Sequence, residues 1–234
     1  MRTTNIVLGL LFATPALAME QHMDAMPVAK LAVDHLEQRF DGDDQALAWE
    51  LEATYGNDLH KAVLKSSGER ADGGPTDSSE TQLLYRRMAS EFFDWQAGLR
   101  HDEQPGPTRS YAVLGVKGLA LQWIELDANL FLSERGDASL RVEAEYELLL
   151  TQRWALEPKL EYDLALDDDR DLGIGAGGST LEAGLRLHYR VSPQFSPYVG
   201  YVWERTYGRS GDWLRAEGEH DEEGSWVLGL RFWL

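Results

Sequence analysis

The segment from Ser139 to Leu166 constrains the fold of this chain more than any other part of its sequence. Apolar and charged residues alternate along two arms that flank a short polar link at 151–153. A period of two is typical of β-strands rather than helices. Each arm runs for about 11–13 residues, which is longer than an ordinary soluble strand and close to the length of a tilted strand that crosses a bilayer. The segment therefore predicts two antiparallel membrane-spanning strands joined by a tight turn.

The first 18 residues have the features of a secretory signal peptide. Arg2 supplies a positive start, residues 6–13 are mostly apolar, and Ala16-Leu17-Ala18 matches a cleavage site. We therefore expect residues 1–18 to be removed and the mature chain to begin at Met19. No later segment has the roughly 20 continuous apolar residues of a transmembrane helix, so a membrane location requires strands.

The composition excludes some classes of function. The chain has no Cys, which rules out disulfide and thiolate chemistry. Its 40 acidic and 22 basic residues give a net charge of −18, which argues against nucleic acid as a partner and favours cations. The mean hydropathy of −0.39 does not indicate solubility, because a barrel distributes its apolar residues in alternation rather than in runs.

The rest of the chain from 28 to 234 contains further alternating runs. Eleven are clear, and a twelfth, at 28–40, alternates poorly. Because single-chain bacterial barrels have an even number of strands, we predict an all-β, up-and-down antiparallel barrel of 12 strands in the outer membrane, with 10 strands as the alternative. A soluble barrel of the lipocalin kind would instead place the apolar face inside. Aromatic residues flank the short links, where an interfacial girdle is expected.

If the apolar faces contact lipid, the charged faces line the interior. Both signs of charge occur there, and we interpret most of these residues as a cross-linked ionic network, because buried charges need partners. The exception to this network is the row Glu143, Glu145 and Glu147, because its own strand supplies one nearby cation, Arg141. This row could instead attract cations along an acidic path.

Residues 19–27 form a predicted flexible tail with a second metal-binding signal. Met19, Met23 and Met26 lie beside His22, and on a helix the four side chains would share one face. Thioethers select Cu(I), whereas imidazole and carboxylate suit Cu(II), so this composition favours copper. An ordinary mobile terminus is the alternative interpretation.

Several segments resemble the copper resistance protein B family of outer-membrane proteins. The resemblance covers roughly 45–234 and includes turns and inward charges; its clearest segments are LRVEAEYELLLTQRWALEPKLE at 140–161, LLYRRMASEFFDWQAGLRHDEQPGPTRSYAVLGVKGLA at 83–120, LEAGLRLHYRVSPQFSPYVGYVWERTYG at 181–208 and VLGLRFWL at the C-terminus. It implies a role in binding or translocating copper, without enzymatic activity. Family members commonly carry a long Met- and His-rich segment before the barrel, which is reduced here to the four tail residues. The resemblance therefore leaves three possibilities for copper: the tail, the interior carboxylates with His188, or a partner such as a periplasmic multicopper oxidase.

The sequence also bears on two other functions, a channel and a lipid hydrolase. An acidic interior is also compatible with a cation-selective, porin-like channel. A lipid hydrolase would need a serine within reach of a histidine on the outer wall. His188 faces inward and the outward His101 has no evident serine partner, so we expect no enzymatic activity.

Overall fold

In the computed structural model, the chain forms a closed antiparallel barrel of twelve strands. The structure describes residues 26–42, 44–72, 74, 76–104, 107–169, 173–218 and 220–234. Each strand pairs with its neighbours along the chain, and β1 pairs with β12 to close the barrel. The predicted fold class is confirmed, with twelve strands rather than ten. The strands are β1 Val28–Asp41, β2 Asp44–Gly56, β3 His60–Ala71, β4 Thr76–Met88, β5 Phe93–Glu103, β6 Arg109–Ala120, β7 Ile124–Ser133, β8 Ala138–Tyr146 with its continuation Leu148–Leu149, β9 Trp154–Ala165, β10 Ser179–Tyr189, β11 Phe195–Tyr207 and β12 Glu222–Trp233.

The predicted hairpin at 139–166 corresponds to β8 and β9. Leu160 pairs with Ala144 on one face of the hairpin, and Glu161 pairs with Glu143 on the other. The pairing is interrupted at Glu147 and resumes when Leu148 pairs with Leu156. The alternation of the two arms therefore sets both the strands and their register.

The two faces of the barrel wall have opposite chemistry. Leu83, Leu99 and Leu114 point outward with exposed fractions of 59%, 66% and 57%. In contrast, the inward Glu157 and Arg186 are 0% and 1% exposed. A soluble barrel would show the reverse arrangement, so the lipocalin-like alternative is wrong.

β1 contains a bulge that explains its weak alternation. Val33 pairs with Leu51 on β2, but the next pair is His35 with Glu50, so Asp34 is an extra residue. The register between β1 and β12 shifts at the same place. Because a bulge inverts the phase of the residues that follow it, Ala32 lies on the inner face with Glu52, whereas Leu36 lies on the outer face.

The two ends of the barrel differ in their connections. One end carries short links at 57–59, 89–92, 121–123, 150–153 and 190–194, and exposed aromatic side chains flank several of them, including Tyr55, Phe92, Trp123 and Trp154. In bacterial outer-membrane barrels the short turns face the periplasm. The other end carries the long segments at 166–178 and 208–221.

A helix, α1 (Gly208–Glu217), lies in the second long segment, where the sequence predicted a loop. Gly218 ends it in a left-handed conformation with φ of 86°, and its N–H bonds back to the carbonyl oxygens of Leu214 and Arg215. No helix in the described ranges is both long and apolar enough to span a membrane.

Part of the interior is apolar, which the sequence analysis did not predict. Val63, Leu84, Val113 and Phe131 form a fully buried cluster on neighbouring strands. The guanidinium carbon of Arg100 lies 4.5 Å from the centre of the Phe131 ring, a cation–π contact. The lumen is therefore partly filled by packed side chains on this side.

Candidate cation site inside the barrel

A continuous row of carboxylates crosses six adjacent strands on the inner face. Each member pairs directly with the next, from β7 to β12: Asp127, Glu143, Glu161, Glu182, Glu204 and Glu223. We refer to these six residues as the acidic ladder. Like charges directly opposite each other on neighbouring strands destabilise a sheet, so the ladder needs cations.

The acidic ladder descends from one mouth of the barrel to its middle. Glu223 lies beside the start of β12 at the long-loop end, whereas Asp127 lies well inside β7. The descent follows from barrel geometry, because tilted strands carry a row of paired residues along the axis as it passes around the wall. A cation entering at the long-loop end therefore meets carboxylates continuously on its way inward.

Cations that cross the lumen neutralise the deeper half of the ladder. Lys159 lies 2.8 Å from Glu50, 3.9 Å from Glu143 and 4.0 Å from Glu161. The Lys65 ammonium on β3 lies 2.7 Å from Asp127 on β7. These bridges support the structural interpretation of most interior charges, because they hold facing walls together.

Arg141 adds a further bridge across the lumen. Its guanidinium lies 3.1 Å from Glu80 on β4, 3.2 Å from Glu161 and 2.9 Å from Asp163. One cation therefore connects three carboxylates from two walls of the barrel.

The half of the ladder near the long-loop end is less compensated. Arg39 lies 3.4 Å from Glu182, whereas within the described ranges no side-chain ion pair or hydrogen bond reaches Glu204 or Glu223. Glu204 borders both an interior cavity of about 370 Å³ and a cavity of about 350 Å³ at the mouth beside α1. The mouth cavity is also lined by His220, so it combines carboxylate and imidazole groups.

The predicted carboxylate row at 143–147 has more cations than the sequence suggested. Glu143 is 3.9 Å from Lys159, Glu145 is 3.7 Å from Arg231, and Glu147 accepts a hydrogen bond from Arg190. These cations come from β9, β12 and the residue after β10, so inspection of β8 alone could not identify them. Arg141 is the cation that β8 itself supplies, and the other strands add these three.

His188, the predicted interior histidine, belongs to a buried cluster near the short-turn end. Its Nε2 lies 3.4 Å from Oε1 of Glu157, and its ring centre lies 4.6 Å from that of Tyr198. Nε2 of His35 lies 3.3 Å from the same carboxylate oxygen. The sequence analysis missed the role of His35 because the bulge obscured the inner face of β1.

The tail residues are only partly described. Met26 is 84% exposed just before β1, whereas Met19, His22 and Met23 lie outside the described residues. In the part of the chain that the structure describes, no group of three or more His, Asp or Glu side chains is placed to hold a metal ion as it stands. A metal site in the tail remains a prediction.

The outward His101 has a serine partner, contrary to the sequence analysis. Ser110 lies directly opposite on β6, and its Oγ is 3.0 Å from Nδ1 of His101. The other ring nitrogen is 3.9 Å from Glu103, which is too long for a hydrogen bond. The pair therefore lacks the hydrogen-bonded acid that orients the histidine of a catalytic triad, and we assign it to the pairing of β5 with β6.

The fold and its charged interior define the class of protein: an outer-membrane β-barrel. Two solved porins share this architecture. A NanC porin superposes with a TM-score of 0.54 at 13% identity, covering 88% of this chain and 99% of that one, and a KdgM porin with 0.51 at 13% identity, covering 86% and 98%. At this level of identity the likeness shows the fold alone.

The family is defined by sequence. Residues 28–234 match the model of the copper resistance protein B precursor family, and the chain belongs to this family. A copper resistance protein B homolog of Pseudomonas syringae pv. tomato is 39% identical over 200 residues, which cover 86% of this chain and 68% of that protein. The copper resistance protein B of Escherichia coli is 36% identical over 201 residues, with the same coverage. These relatives are copper resistance proteins and not members of enzyme families.

Proposed function

We propose that the barrel binds copper and contributes to copper resistance, by sequestering copper or by exporting it across the outer membrane. The acidic ladder is the observation that carries this proposal. It gives a cation a continuous row of carboxylates, and its members at the mouth have few protein cations nearby. Carboxylate and imidazole groups suit Cu(II), and an acidic lining concentrates cations.

The tail supplies a second place for copper in this proposal. Met19, His22, Met23 and Met26 combine thioether with imidazole, so they suit Cu(I) better than the carboxylates of the ladder do. In this arrangement the tail takes part in copper exchange on the periplasmic side, where β1 begins. A periplasmic multicopper oxidase, the partner implied by the family, would act there by changing the oxidation state of the ion.

Copper titration of the refolded mature chain tests the proposal. The wild-type protein is expected to bind Cu(II), and Glu182→Gln with Glu204→Gln to lower that binding. Asp44→Asn removes an exposed charge at the turn between β1 and β2 and is expected to leave it unchanged. Cu(I) titration after deletion of 19–27 tests the tail separately. A wild-type chain that binds neither oxidation state would contradict the proposal.

A cation-selective channel is the second candidate, and the interior cavity of about 370 Å³ with its acidic lining favours it. Against it, the bridges made by Lys159, Lys65 and Arg141 cross the lumen. Conductance of the purified protein in planar bilayers separates the two. Steady cation-selective current in copper-free potassium chloride would support the channel, whereas its absence would remove it.

A further inference from the structure

Two buried histidines from distant strands converge on one carboxylate oxygen inside the barrel. His35 on β1 and His188 on β10 are 4% and 3% exposed. Their Nε2 atoms lie 3.3 Å and 3.4 Å from Oε1 of Glu157 on β9. Glu157 is itself 0% exposed.

The neighbours of His35 leave its Nε2 without a proton when the ring is neutral. Nδ1 lies 3.0 Å from Oε2 of Glu50, and the same oxygen accepts a hydrogen bond of 2.8 Å from Lys159. Both ring nitrogens face carboxylates, which only accept hydrogen bonds, and the shorter contact is the one from Nδ1 to Glu50, so in the neutral ring Nδ1 carries the proton and Nε2 a lone pair. This lone pair points toward Oε1 of Glu157, which is also an acceptor.

His188 brings a further nitrogen to the same point. Its Nε2 has no hydrogen-bond partner although it is buried, and it faces the same oxygen of Glu157. The second oxygen of Glu157 accepts a hydrogen bond from Arg231, so Oε1 is left to the two histidines. A buried polar nitrogen without a hydrogen-bond partner is rare in a folded protein, and a bound ion is one way to satisfy it.

We propose that His35, Glu157 and His188 form a binding site for a divalent transition-metal ion, Cu²⁺ above all. Two nitrogens and one carboxylate oxygen are donors that suit Cu²⁺, which N/O sites bind more tightly than other first-row divalent ions. Glu50 orients His35, because it accepts a hydrogen bond from Nδ1, as carboxylates do beside metal-binding histidines. This site deepens the proposed copper function and rests on it.

The distances from Oε1 of Glu157 to the two Nε2 atoms are close to those between two ligands of one metal ion. Metal–ligand distances of about 2.0–2.2 Å place neighbouring donors roughly 3.4 Å apart in a tetrahedral site and roughly 2.9 Å apart in a square-planar one. The two observed separations match the tetrahedral value and need only a few tenths of an ångström to reach the other. As they stand the three side chains do not enclose an ion, and rotation of the His188 ring, which breaks no hydrogen bond of Nε2, would close the site.

The surrounding charges favour a cation at this position. The groups that face the cluster are the carboxylates Asp34, Glu37, Glu50 and Glu145, against the cations Arg186, Arg231 and Lys159. With Glu157 included, acidic groups exceed basic ones, so a divalent ion lowers the local imbalance. His35 and Glu50 also line the interior cavity that the acidic ladder borders, which gives the ion a route inward.

Electron paramagnetic resonance of the full mature chain with one equivalent of Cu²⁺ tests the site. The wild-type spectrum is expected to show hyperfine coupling to two imidazole nitrogens. His35→Gln and His188→Gln are each expected to lose one coupled nitrogen and to weaken Cu²⁺ binding by about a hundredfold. His101→Gln, on the outer wall, serves as the matched control and is expected to change neither quantity.

The outcomes separate this site from the wider proposal. Copper bound by the wild type with the same two-nitrogen signal in both barrel variants would overturn the site and leave the copper function standing. A wild type that binds no copper would overturn both. If a histidine variant fails to fold, X-ray absorption at the copper edge of the wild type replaces it: two imidazoles support the site, and fewer than two refute it.

The supporting position of Glu50 gives an independent readout. Glu50→Gln leaves all three proposed ligands in place, so the two-nitrogen signal is expected to persist while Cu²⁺ affinity falls 10- to 100-fold. Unchanged affinity would show that His35 is oriented without Glu50.

Discussion

Glu37 and Arg186 form a buried ion pair between β1 and β10, with two guanidinium nitrogens each 2.9 Å from a carboxylate oxygen. Both residues are 1% exposed, and the Tyr198 hydroxyl donates a further hydrogen bond of 3.0 Å to Glu37. Removing Glu37 is costly, because the Arg186 guanidinium then stays buried without this carboxylate. In the opposite case Arg39, 3.2 Å from Glu37, still faces the remaining carboxylate.

The pair predicts an asymmetry between single and double substitutions. Glu37→Leu leaves Arg186 buried without its carboxylate and is expected to lower the free energy of unfolding by about 3–5 kcal/mol, whereas Glu37→Leu combined with Arg186→Met is expected to restore most of it. Urea unfolding of the barrel in lipid vesicles, followed by tryptophan fluorescence, measures both. Equal losses in the single and double variants would contradict this account.

A solvent-exposed ion pair provides the control. Arg205 and Glu222 lie 3.3 Å apart near the long-loop end, with side chains 40% and 51% exposed. Because exposed pairs contribute little, Glu222→Gln is expected to change the free energy of unfolding by no more than about 1 kcal/mol.

The turn between β6 and β7 is the clearest strained element of the barrel. Leu121 and Gln122 adopt positive φ angles of 51° and 72°, which only glycine and asparagine adopt readily. Two consecutive positive φ angles are the geometry of a type I′ hairpin turn, in which Asn-Gly is the favoured pair.

Replacing these two residues by Asn-Gly is therefore expected to stabilise the barrel. The double substitution Leu121→Asn with Gln122→Gly removes two side chains from unfavourable backbone conformations, for a gain of about 1 kcal/mol. The same urea titration measures it. Asn-Gly at the turn before β3, replacing Asp58 and Leu59, tests specificity, because neither residue has a positive φ and no gain is expected there.

Individual elements were predictable to the extent that their alternation was regular. The hairpin of β8 and β9 forms as predicted, because apolar and charged residues alternate between its two faces from Leu140 to Leu164 without a register shift. β1 was uncertain, because the extra residue Asp34 breaks the phase in the middle of the strand. α1 was not predicted: its short sequence has no apolar stripe, and neighbouring charges and Gly218 define it instead.

Across the whole molecule, the outer wall forms a continuous apolar surface that only a lipid environment satisfies. Leu114 points outward from β6 and Leu148 from the continuation of β8, with exposed fractions of 57% and 41%. Leu114 lies in the middle of its strand, whereas Leu148 lies beside the short link at 150–153. They therefore sample two depths of the same bilayer.

This difference in depth predicts different costs for a charge. Leu114→Arg is expected to lower the free energy of unfolding in lipid vesicles by about 2–4 kcal/mol, and Leu148→Arg by about 0–1 kcal/mol. Comparable costs at the two positions would show that the bilayer midplane does not lie near Leu114.

The interior of the molecule was predictable in its chemistry but not in its pairing. Alternation identified which residues face inward, including Glu143 and His188. The partners of those residues, such as Lys159 and Glu157, come from other strands, and the distance between two inward groups depends on the closed curvature of the barrel. Of the candidate metal site only His188 was predicted, since β1 must meet β9 and β10 across the barrel to form it.

The bulge at Asp34 adds one residue to β1 and lets His35, Glu37 and Arg39 face the interior. Deleting Asp34 itself would remove the bulge and keep these three residues inward, whereas deleting Leu36 would turn Glu37 and Arg39 toward lipid. A change of one residue in the link at 166–178 has no such effect, because the side chains of a loop do not alternate between two faces. We therefore expect differences in length among relatives to concentrate in the links and at the bulge, and to spare the rest of β1.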